Sequence, residues 1–407
     1  MLHSHFDLDN FIAKILGRTN SFFAEDLANN KPVIAEKLLN KSILVIGGAG
    51  TIGSFFIKAL LRFGQPAKLV VVDTNENGLT ELVRDISSST GFFIPETFIT
   101  YPVDFSNDVF YKILKNEGPF EIVANFAAHK HVRSEKDMYA IEAMIRNNLL
   151  NAAKLLDVLS ANPPENFFCV STDKAANPVN IMGASKKLME DLILSYSEEF
   201  PVSTARFANV AFSNGSLPFG FLERISKKQP LSAPKNIKRF FVSPSEAGEL
   251  CMLAGLLGKN GEIFFPKLDA DKHMNTFTFI GNELLAELGY KPRECNSEEE
   301  ARQVAQSLNK DSKEYPVYYF NSDTTGEKPY EEFYTEKESP DFNKFNSLGV
   351  IKNQHKQSRK KIYDIIDDLN KIFLNNNTNK ADIVSLLSKH ISGFDHVETG
   401  KSLDQKM

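Results

Sequence analysis

Residues 42–60 constrain the fold more than any other stretch of this chain. Ser42 to Ile46 (SILVI), apolar after its first residue, is of strand length. Gly47-Gly48-Ala49-Gly50-Thr51-Ile52-Gly53 follows at once, and an apolar run with helical spacing through Phe55, Phe56, Ala59 and Leu60 comes next. Glycines at 47, 50 and 53 let the backbone turn tightly, approach a pyrophosphate closely and pack helix on strand. The phosphate then meets the N-terminus of a helix. Alone, a GxxGxxG is a glycine-rich turn that need hold no ligand. Set between a strand and a helix, it points to a dinucleotide-binding unit. On that reading Gly47, Gly50, Thr51, Ile52 and Gly53 contact the cofactor.

The alternation continues. Lys68 to Val72 (KLVVV) is a second strand, ended by Asp73. An acid about 20 residues beyond the glycine loop is where a dinucleotide fold holds the adenosine ribose hydroxyls. Thr74 and Asn75 follow, with no Arg to receive a 2′-phosphate, so NAD is expected; Arg84, a few residues on and within reach of a phosphate, keeps NADP as the less favoured alternative. Thr97 to Tyr101 reads as the third strand, and Asp104 beyond it either hydrogen-bonds the adenine or caps the next helix. Glu121 to Asn125 is the fourth, running into Phe126-Ala127-Ala128-His129-Lys130-His131-Val132. The small Ala127 and Ala128 suit close backbone approach to a cofactor, and Lys130 and His131 sit at the strand's C-terminal edge. The helix Met138 to Leu159 carries Ile141, Ile145, Leu149, Ala152 and Leu156 on one face. Asn147-Asn148 interrupts it, either as a solvated position or as a group facing an active site.

Phe167 to Asp191 (FFCVSTDKAANPVNIMGASKKLMED) starts as a buried strand, breaks into a polar turn at Ser171 to Lys174, and resumes as a helix near Gly183. Thr172, Asp173 and Lys174 place a hydroxyl, a carboxylate and an ammonium at the strand's C-terminal end. Open α/β sheets bind ligands outside that edge; the same turn alone is also ordinary loop chemistry. Lys186 lies one helical turn after Met182, on the same face. Ser203 to Phe207 is a further strand. The expected fold is α/β, a Rossmann-like doubly wound parallel sheet with a smaller substrate-binding domain and extra N- and C-terminal helices. Residues 1–40 form a helical extension packed on the main domain; 41–212 form the NAD-binding domain, with a return strand near 261–265. Residues 213–335 are mainly the substrate domain, and 336–407 a C-terminal helical region, broken at Asn375 to Asn379, with a polar tail.

Composition narrows the function classes. A net charge of −5 gives no basic field for nucleic acid. No window of ~18 apolar residues reads as a membrane span, and the N-terminus lacks the order of a secretory signal. Cys169, Cys251 and Cys295 are too scattered for a disulfide framework or a metal site. The expectation is a cytoplasmic protein without a metal.

Six motifs together resemble the extended short-chain dehydrogenase/reductases: GGAGTIG at 47–53, AAHKHV at 127–132, STDKAANPVNIMGASK at 171–186, RFANV at 206–210, KRFF at 238–241 and GEKPYEE at 326–332. More narrowly, they resemble the nucleotide-sugar 4,6-dehydratases of bacterial polysaccharide and glycan biosynthesis, above all those acting on UDP-N-acetylglucosamine. The likeness runs from roughly Leu16 to Phe333. Leu16-Gly17-Arg18 is similar to the segment before the catalytic domain in membrane-anchored members, so a soluble version without the anchor is expected. The helices Met138 to Leu159 and Gly183 to Glu199 resemble the family's dimer-forming pair, which implies a homodimer or higher homo-oligomer.

The resemblance implies a reaction. Hydride leaves C4 of the sugar for the nicotinamide, the resulting ketone acidifies C5–H, a base removes that proton while an acid protonates the departing C6 hydroxyl, and hydride returns to C6. It assigns Asp173 as the acid at O6 and Lys174 as the C5 base, the lysine pKa being lowered by desolvation or by neighbouring cations, Lys186 and the bound nicotinamide; the alternative is that Lys174 only pairs with a phosphate or a carboxylate. Lys186 binds the nicotinamide ribose, and Thr172, with a water, serves the C4 oxygen. Asn209, Asn214 and Ser216 resemble sugar and diphosphate contacts, Arg239 the diphosphate ligand, Glu327 a uridine-ribose acceptor, and Lys130 and His131 a lining of the sugar pocket. Two positions depart from the family. Met182 stands where most members have Tyr, as in one dehydratase subgroup thought to retain configuration at C5; Thr324-Thr325 replaces Arg-Pro before GEK. Two rivals stand beside this reading: an NAD-dependent nucleotide-sugar epimerase, and a non-catalytic dinucleotide-sensing interaction protein.

Overall fold

The computed structural model describes residues 6–323, 326–352, 357–375, 378–396 and 398. Helices α1 (Leu8–Leu16) and α2 (Ala24–Leu38) open the chain. Then come β1 (Ser42–Ile46), α3 (Thr51–Phe63), β2 (Lys68–Asp73), α4 (Glu76–Ser88), β3 (Thr97–Pro102), α5 (Asp108–Glu117) and β4 (Ile122–Asn125). One long helical run follows: α6 (Met138–Ile145), a π-helical turn (Arg146–Leu150) and α7 (Asn151–Leu159). After it come β5 (Asn166–Val170), α8 (Ile181–Ser195) and β6 (Val202–Ala205). These six strands lie side by side in the order β3-β2-β1-β4-β5-β6, and all of them are parallel. Helices on both faces explain why β1, β2, β4 and β5 are near-continuous apolar runs rather than alternating ones. Strand order reverses between β1 and β4, which opens a crevice at their C-terminal ends.

The second half interleaves two jobs. Its elements are β7 (Asn209–Val210), α9 (Leu217–Ser226), β8 (Leu231–Pro234), β9 (Lys238–Val242), α10 (Pro244–Leu257), β10 (Glu262–Pro266), α11 (Ala270–His273), β11 (Met274–Thr276), α12 (Phe277–Glu287), β12 (Lys291–Glu294), α13 (Glu298–Gln306), β13 (Glu314–Phe320), β14 (Pro340–Asp341), β15 (Leu348–Ile351), α14 (Arg359–Leu374) and α15 (Lys380–His390). β10 returns to the main sheet parallel to β6, where a return strand was expected. β15 and β14 then extend that edge antiparallel, in a region expected to be helical. Two small sheets, β11-β9-β7 and β12-β13-β8, surround a second apolar core built on Phe221, Leu231, Phe241, Ile280, Leu284 and Val317.

The N-terminal extension does not pack on the main domain alone. Ile34 and Leu38 of α2 lie in the main core, as expected. Phe11, Ile12 and Ile15 of α1 belong to the second core instead, and Lys14 pairs with Glu283 and Glu287 of α12. Arg18 ties the junction: its fork donates to both oxygens of Glu246 at 2.7 Å and to Phe241 O at 3.2 Å.

Thirteen of the fifteen residues of α8 are buried, so this helix has almost no free face. The chain's own α14 and α15 cover it. Gln357 donates to Asp191 at 3.1 Å, Arg359 pairs with Glu199, and Tyr363 bonds both Tyr196 and Asp157 at 2.7 Å. The face of α8 on which a second copy was expected is thus occupied from within.

Candidate functional site

The glycine turn and the end of β4 meet at the crevice. Gly47 has φ 77, and a Cβ there would stand 2.6 Å from Ala127 N, so only glycine lets the two chains touch. At Gly53 a Cβ would stand 2.3 Å from Gly47 O, which packs α3 against the turn. Gly50 is different. Its φ of −68 is ordinary, and a Cβ there would meet only Gly47 O at 3.4 Å. Gly50 is also the N-cap of α3, and no side chain caps that end. The first-turn N–H groups beyond it, from Thr51, Ile52 and Gly53, have no partner within the helix. The residues present therefore fit a dinucleotide pyrophosphate, an anion that such an N-terminus receives. Asp73 closes the arrangement: one carboxylate oxygen accepts Ala49 N and the other Asn75 N, both at 2.9 Å. Asp104 is exposed and accepts Ser106 N at 2.7 Å. Asn107, not Asp104, caps α5, which removes the capping alternative.

Asn148, in the π-helical turn, is buried rather than solvated. It is 1% exposed. Its Oδ1 accepts His129 N at 2.8 Å, and its Nδ2 donates to His129 O at 2.9 Å and to Ser185 Oγ at 3.1 Å. It thereby clamps the loop carrying Ala127, Ala128, Lys130 and His131 onto α8. Lys130 is exposed. His131 lies against Gly215, where a Cβ would stand 3.0 Å from its Nε2. The loop containing Gly215 reaches over the glycine turn, since Asn214 N donates to Thr51 Oγ1 at 3.1 Å. Ser216 caps α9 by accepting Phe219 N at 3.3 Å, and Asn209 pairs in β7 with Phe241 of β9. Both have structural roles here, whatever they contact in a complex.

The polar turn after β5 is compact. Asp173, its side chain 4% exposed, accepts three hydrogen bonds on Oδ1: from Thr172 Oγ1 at 2.8 Å, Lys174 N at 2.8 Å and Lys174 Nζ at 3.0 Å. Lys174 Nζ also stands 3.7 Å from Glu331 Oε1. Burial alone would push the Lys174 pKa down, but the carboxylates of Asp173 and Glu331 outweigh burial and Arg239, and hold it above the ordinary lysine value. The side chain is therefore an ammonium here. The cation that opposes its charge is Arg239, not Lys186. Lys186 is buried beside the same strand end. It donates to Val170 O at 2.7 Å and touches Met189 Sδ at 3.2 Å, and burial pushes its pKa down against Cys169 and Glu190. Met182 is buried too, its N–H donating to Glu135 Oε1 at 2.9 Å.

Beneath the turn lies a charge network that motif reading missed. Arg206 is fully buried and donates through Nε and Nη2 to Glu190, at 3.0 and 2.6 Å, and through Nη1 and Nη2 to Glu338, at 2.8 and 2.7 Å. Ser171 Oγ, next to Thr172, donates to Glu190 at 3.0 Å. Against the cost of burial, Arg206 and Lys187 pull the Glu190 pKa down to about 2.

Arg239 and the 326–332 strap complete the site. Arg239 Nη1 donates to Lys238 O and Lys328 O at 2.9 Å and to Pro329 O at 3.2 Å; Nη2 faces Glu327 at 3.7 Å and Glu331 at 3.9 Å. Glu327 is also bonded by Ser322. Asn180, the N-cap of α8, donates to Gly326 O at 2.8 Å, which fixes the strap's first residue on that helix. Thr324 and Thr325 lie outside the described residues. Glu331 was legible as part of GEKPYEE, but only the fold brings it to Lys174.

The sheet order, the uncapped glycine turn at its switch point and the polar turn one strand further define a Rossmann-fold short-chain dehydrogenase/reductase of the extended kind. The chain belongs to the family of polysaccharide biosynthesis proteins, which matches residues 43–353. It is similar to the capsular polysaccharide biosynthesis protein CapD of Staphylococcus aureus, 32% identical over 59% of this chain and 41% of CapD, so it spans under half of that relative's length. It is 28% identical to a UDP-N-acetylglucosamine 4,6-dehydratase (inverting) of Campylobacter jejuni, over 58% of this chain and 69% of the relative. A UDP-glucose 4-epimerase of Rickettsia prowazekii is 26% identical over 57% and 67%. Among solved structures, Pen from Bacillus thuringiensis shares the fold, with a TM-score of 0.63 at 22% identity over 79% of this chain and 90% of that one. No helix among the described residues is long and apolar enough to cross a membrane.

Proposed function

We propose that the protein is a nucleotide-sugar 4,6-dehydratase with a resident NAD, converting UDP-N-acetylglucosamine to UDP-2-acetamido-2,6-dideoxy-hexos-4-ulose with retention at C5. Its place would be the cytoplasmic supply of a modified sugar for a bacterial surface glycan. The observation that carries this reading is the contact of Lys174 Nζ with Asp173 Oδ1 at 3.0 Å, in the turn after β5. Elimination of water needs a base at C5 and an acid at O6 together. With a proton removed from the ammonium and one placed on the carboxylate, the two side chains are that base and that acid. When the amine takes the C5 proton and the acid gives its proton to the leaving hydroxyl, the pair returns to ammonium and carboxylate. As hydride returns to C6, the ammonium gives a proton to C5, and the proton that the C4 hydroxyl loses on oxidation makes good the one taken from Asp173.

The glycine turn, Asp73 and Ala127 would hold the dinucleotide, which supplies a hydride acceptor and donor when bound. Lys186 would meet its nicotinamide ribose. Thr172, already donating to Asp173, would serve the C4 oxygen in place of the tyrosine that Met182 replaces. Arg239 and Glu327 would take the diphosphate and the uridine ribose, with Asn209, Asn214, Ser216, Lys130 and His131 around the sugar. The similarity to an epimerase supports a second reading, in which C4 is oxidised and reduced again without loss of water. Mass spectrometry of the product from UDP-N-acetylglucosamine separates the two. Loss of one water is expected; an isomer of unchanged mass would establish the epimerase instead.

A further inference from the structure

The ammonium of Lys174 is held from two sides, and only one of them belongs to its own turn. Glu331 comes from the strap, is 5% exposed, and stands 3.7 Å from Lys174 Nζ and 3.9 Å from Arg239 Nη2. It therefore bridges the two cations. The Nη1 side of Arg239 is filled by backbone carbonyls, so the carboxylates of Glu327 and Glu331 sit on the side of the guanidinium that an incoming anion would take. The charged groups around Glu331 are Asp173 and Lys174 of the turn, Arg239 of β9, and Lys328 and Glu327 of the strap. Burial raises the proton affinity of Glu331 and Asp173 adds to it, while Lys174, Arg239 and Lys328 oppose.

We propose that Glu331 is a positioning residue that sets the charge of Lys174, and that a nucleoside diphosphate arriving on Arg239 drives a proton onto Glu331 and so frees Lys174 to act as a base. This rests on the reading of Arg239 as diphosphate ligand and Lys174 as C5 base. A carboxylate 3.7 Å from an ammonium raises its pKa by roughly one to three pH units for effective dielectric constants between about 80 and 20. A diphosphate on Nη2 competes with Glu331 for the same cation and brings negative charge closer to Glu331 than to Lys174. Moving a proton from Lys174 to Glu331 moves positive charge toward that diphosphate and is favoured. The step balances: one N–H bond of the ammonium breaks, one O–H bond forms on Glu331, and a neutral amine and a neutral acid remain; Asp173, still a carboxylate, then takes through Thr172 the proton that the C4 hydroxyl loses on oxidation and so becomes the acid at O6.

The test is trace acetylation with acetic anhydride across a pH series, with Lys174 quantified by peptide mass spectrometry. It uses the full chain with and without uridine diphosphate, as wild type, Glu331→Gln and Glu331→Asp. In the free wild type, Lys174 is expected to titrate above ordinary lysine, and uridine diphosphate to lower its midpoint by one pH unit or more. Glu331→Gln should start from the lowered midpoint and no longer respond to the nucleotide. Glu331→Asp keeps the charge and should keep a response. A Glu331→Gln profile like the wild type, a wild-type midpoint that uridine diphosphate leaves unchanged or raises, or no binding of uridine diphosphate would each overturn the proposal. If Glu331→Gln does not fold, the wild-type arms alone decide. Labelling needs no turnover, so these shifts in a protein that leaves UDP-N-acetylglucosamine intact would keep the role of Glu331 and discard the dehydratase reading.

Discussion

Substituting alanine at Gly50 and at Gly53 separates cofactor binding from folding within one turn of chain. At Gly50 the backbone (φ −68, ψ 159) accepts any residue, and an added Cβ would find only Gly47 O at an ordinary 3.4 Å. Alanine is a poorer N-cap than glycine by up to about 1 kcal/mol, but it lowers the entropy of the unfolded chain by about 0.4–1 kcal/mol. The two nearly cancel, so Gly50→Ala should unfold in urea within about 0.5 kcal/mol of the wild type. The new methyl, however, stands in the approach to the α3 N-terminus, and NADH affinity should fall at least tenfold, about 1.4 kcal/mol. At Gly53 the added Cβ would stand 2.3 Å from Gly47 O, a backbone atom that cannot rotate away. Overpacking of that kind costs up to about 3 kcal/mol, and the helix preference of alanine returns about 1 kcal/mol. A net loss of about 2 kcal/mol should appear in the same urea titration. If Gly50→Ala binds NADH like the wild type, or Gly53→Ala is as stable as the wild type, the pyrophosphate does not cross this turn as argued here.

Replacing Arg206 with Met should lower unfolding free energy by about 3–5 kcal/mol in urea melts, because Glu190 and Glu338 lose their shared buried cation. The folded pKa of Glu190, about 2 against an ordinary 4.5, makes its stabilisation fully present above pH 4.5 and lost as pH falls through about 2. The stability gap between wild type and Glu190→Gln should therefore shrink across that window, as read by urea melts at stepped pH; a constant gap would contradict the ion-pair account. Asn148→Leu should cost about 1–3 kcal/mol through its lost hydrogen bonds, and hydrogen exchange should speed up in the Ala127–Val132 loop it clamps; unchanged exchange would show that the clamp is unimportant.

The parallel half of the sheet was readable because its strands are buried on both faces and a glycine turn marks the first crossover. β10 was readable for the same reason. β14 and β15 were not: they are two and four residues long, and β15 pairs with a strand far back in the chain, so no hairpin signal joins them. The spacing of Phe11, Ile12 and Ile15 announced an apolar face but not which core it would meet. At the site, residue types at the strand ends carried the reading of Asp173 and Lys174. Their charge state did not follow, because Glu331 and Arg239 come from distant segments and reverse the effect that burial has on the lysine. Asn148 was ambiguous in sequence, since a π-helical turn and a helical surface look alike until the ladder is seen.

On the proposed mechanism, an amine and an acid side by side beyond one strand end remove water from a sugar. Incubation with UDP-N-acetylglucosamine in deuterated water, followed by proton NMR of the product, tests it most directly. Loss of the C6 hydroxyl with deuterium at C5 of retained configuration is predicted for the wild type, and neither change for Lys174→Met. Water lost without deuterium at C5, or a Lys174→Met protein that exchanges C5 as fast as the wild type, would contradict it.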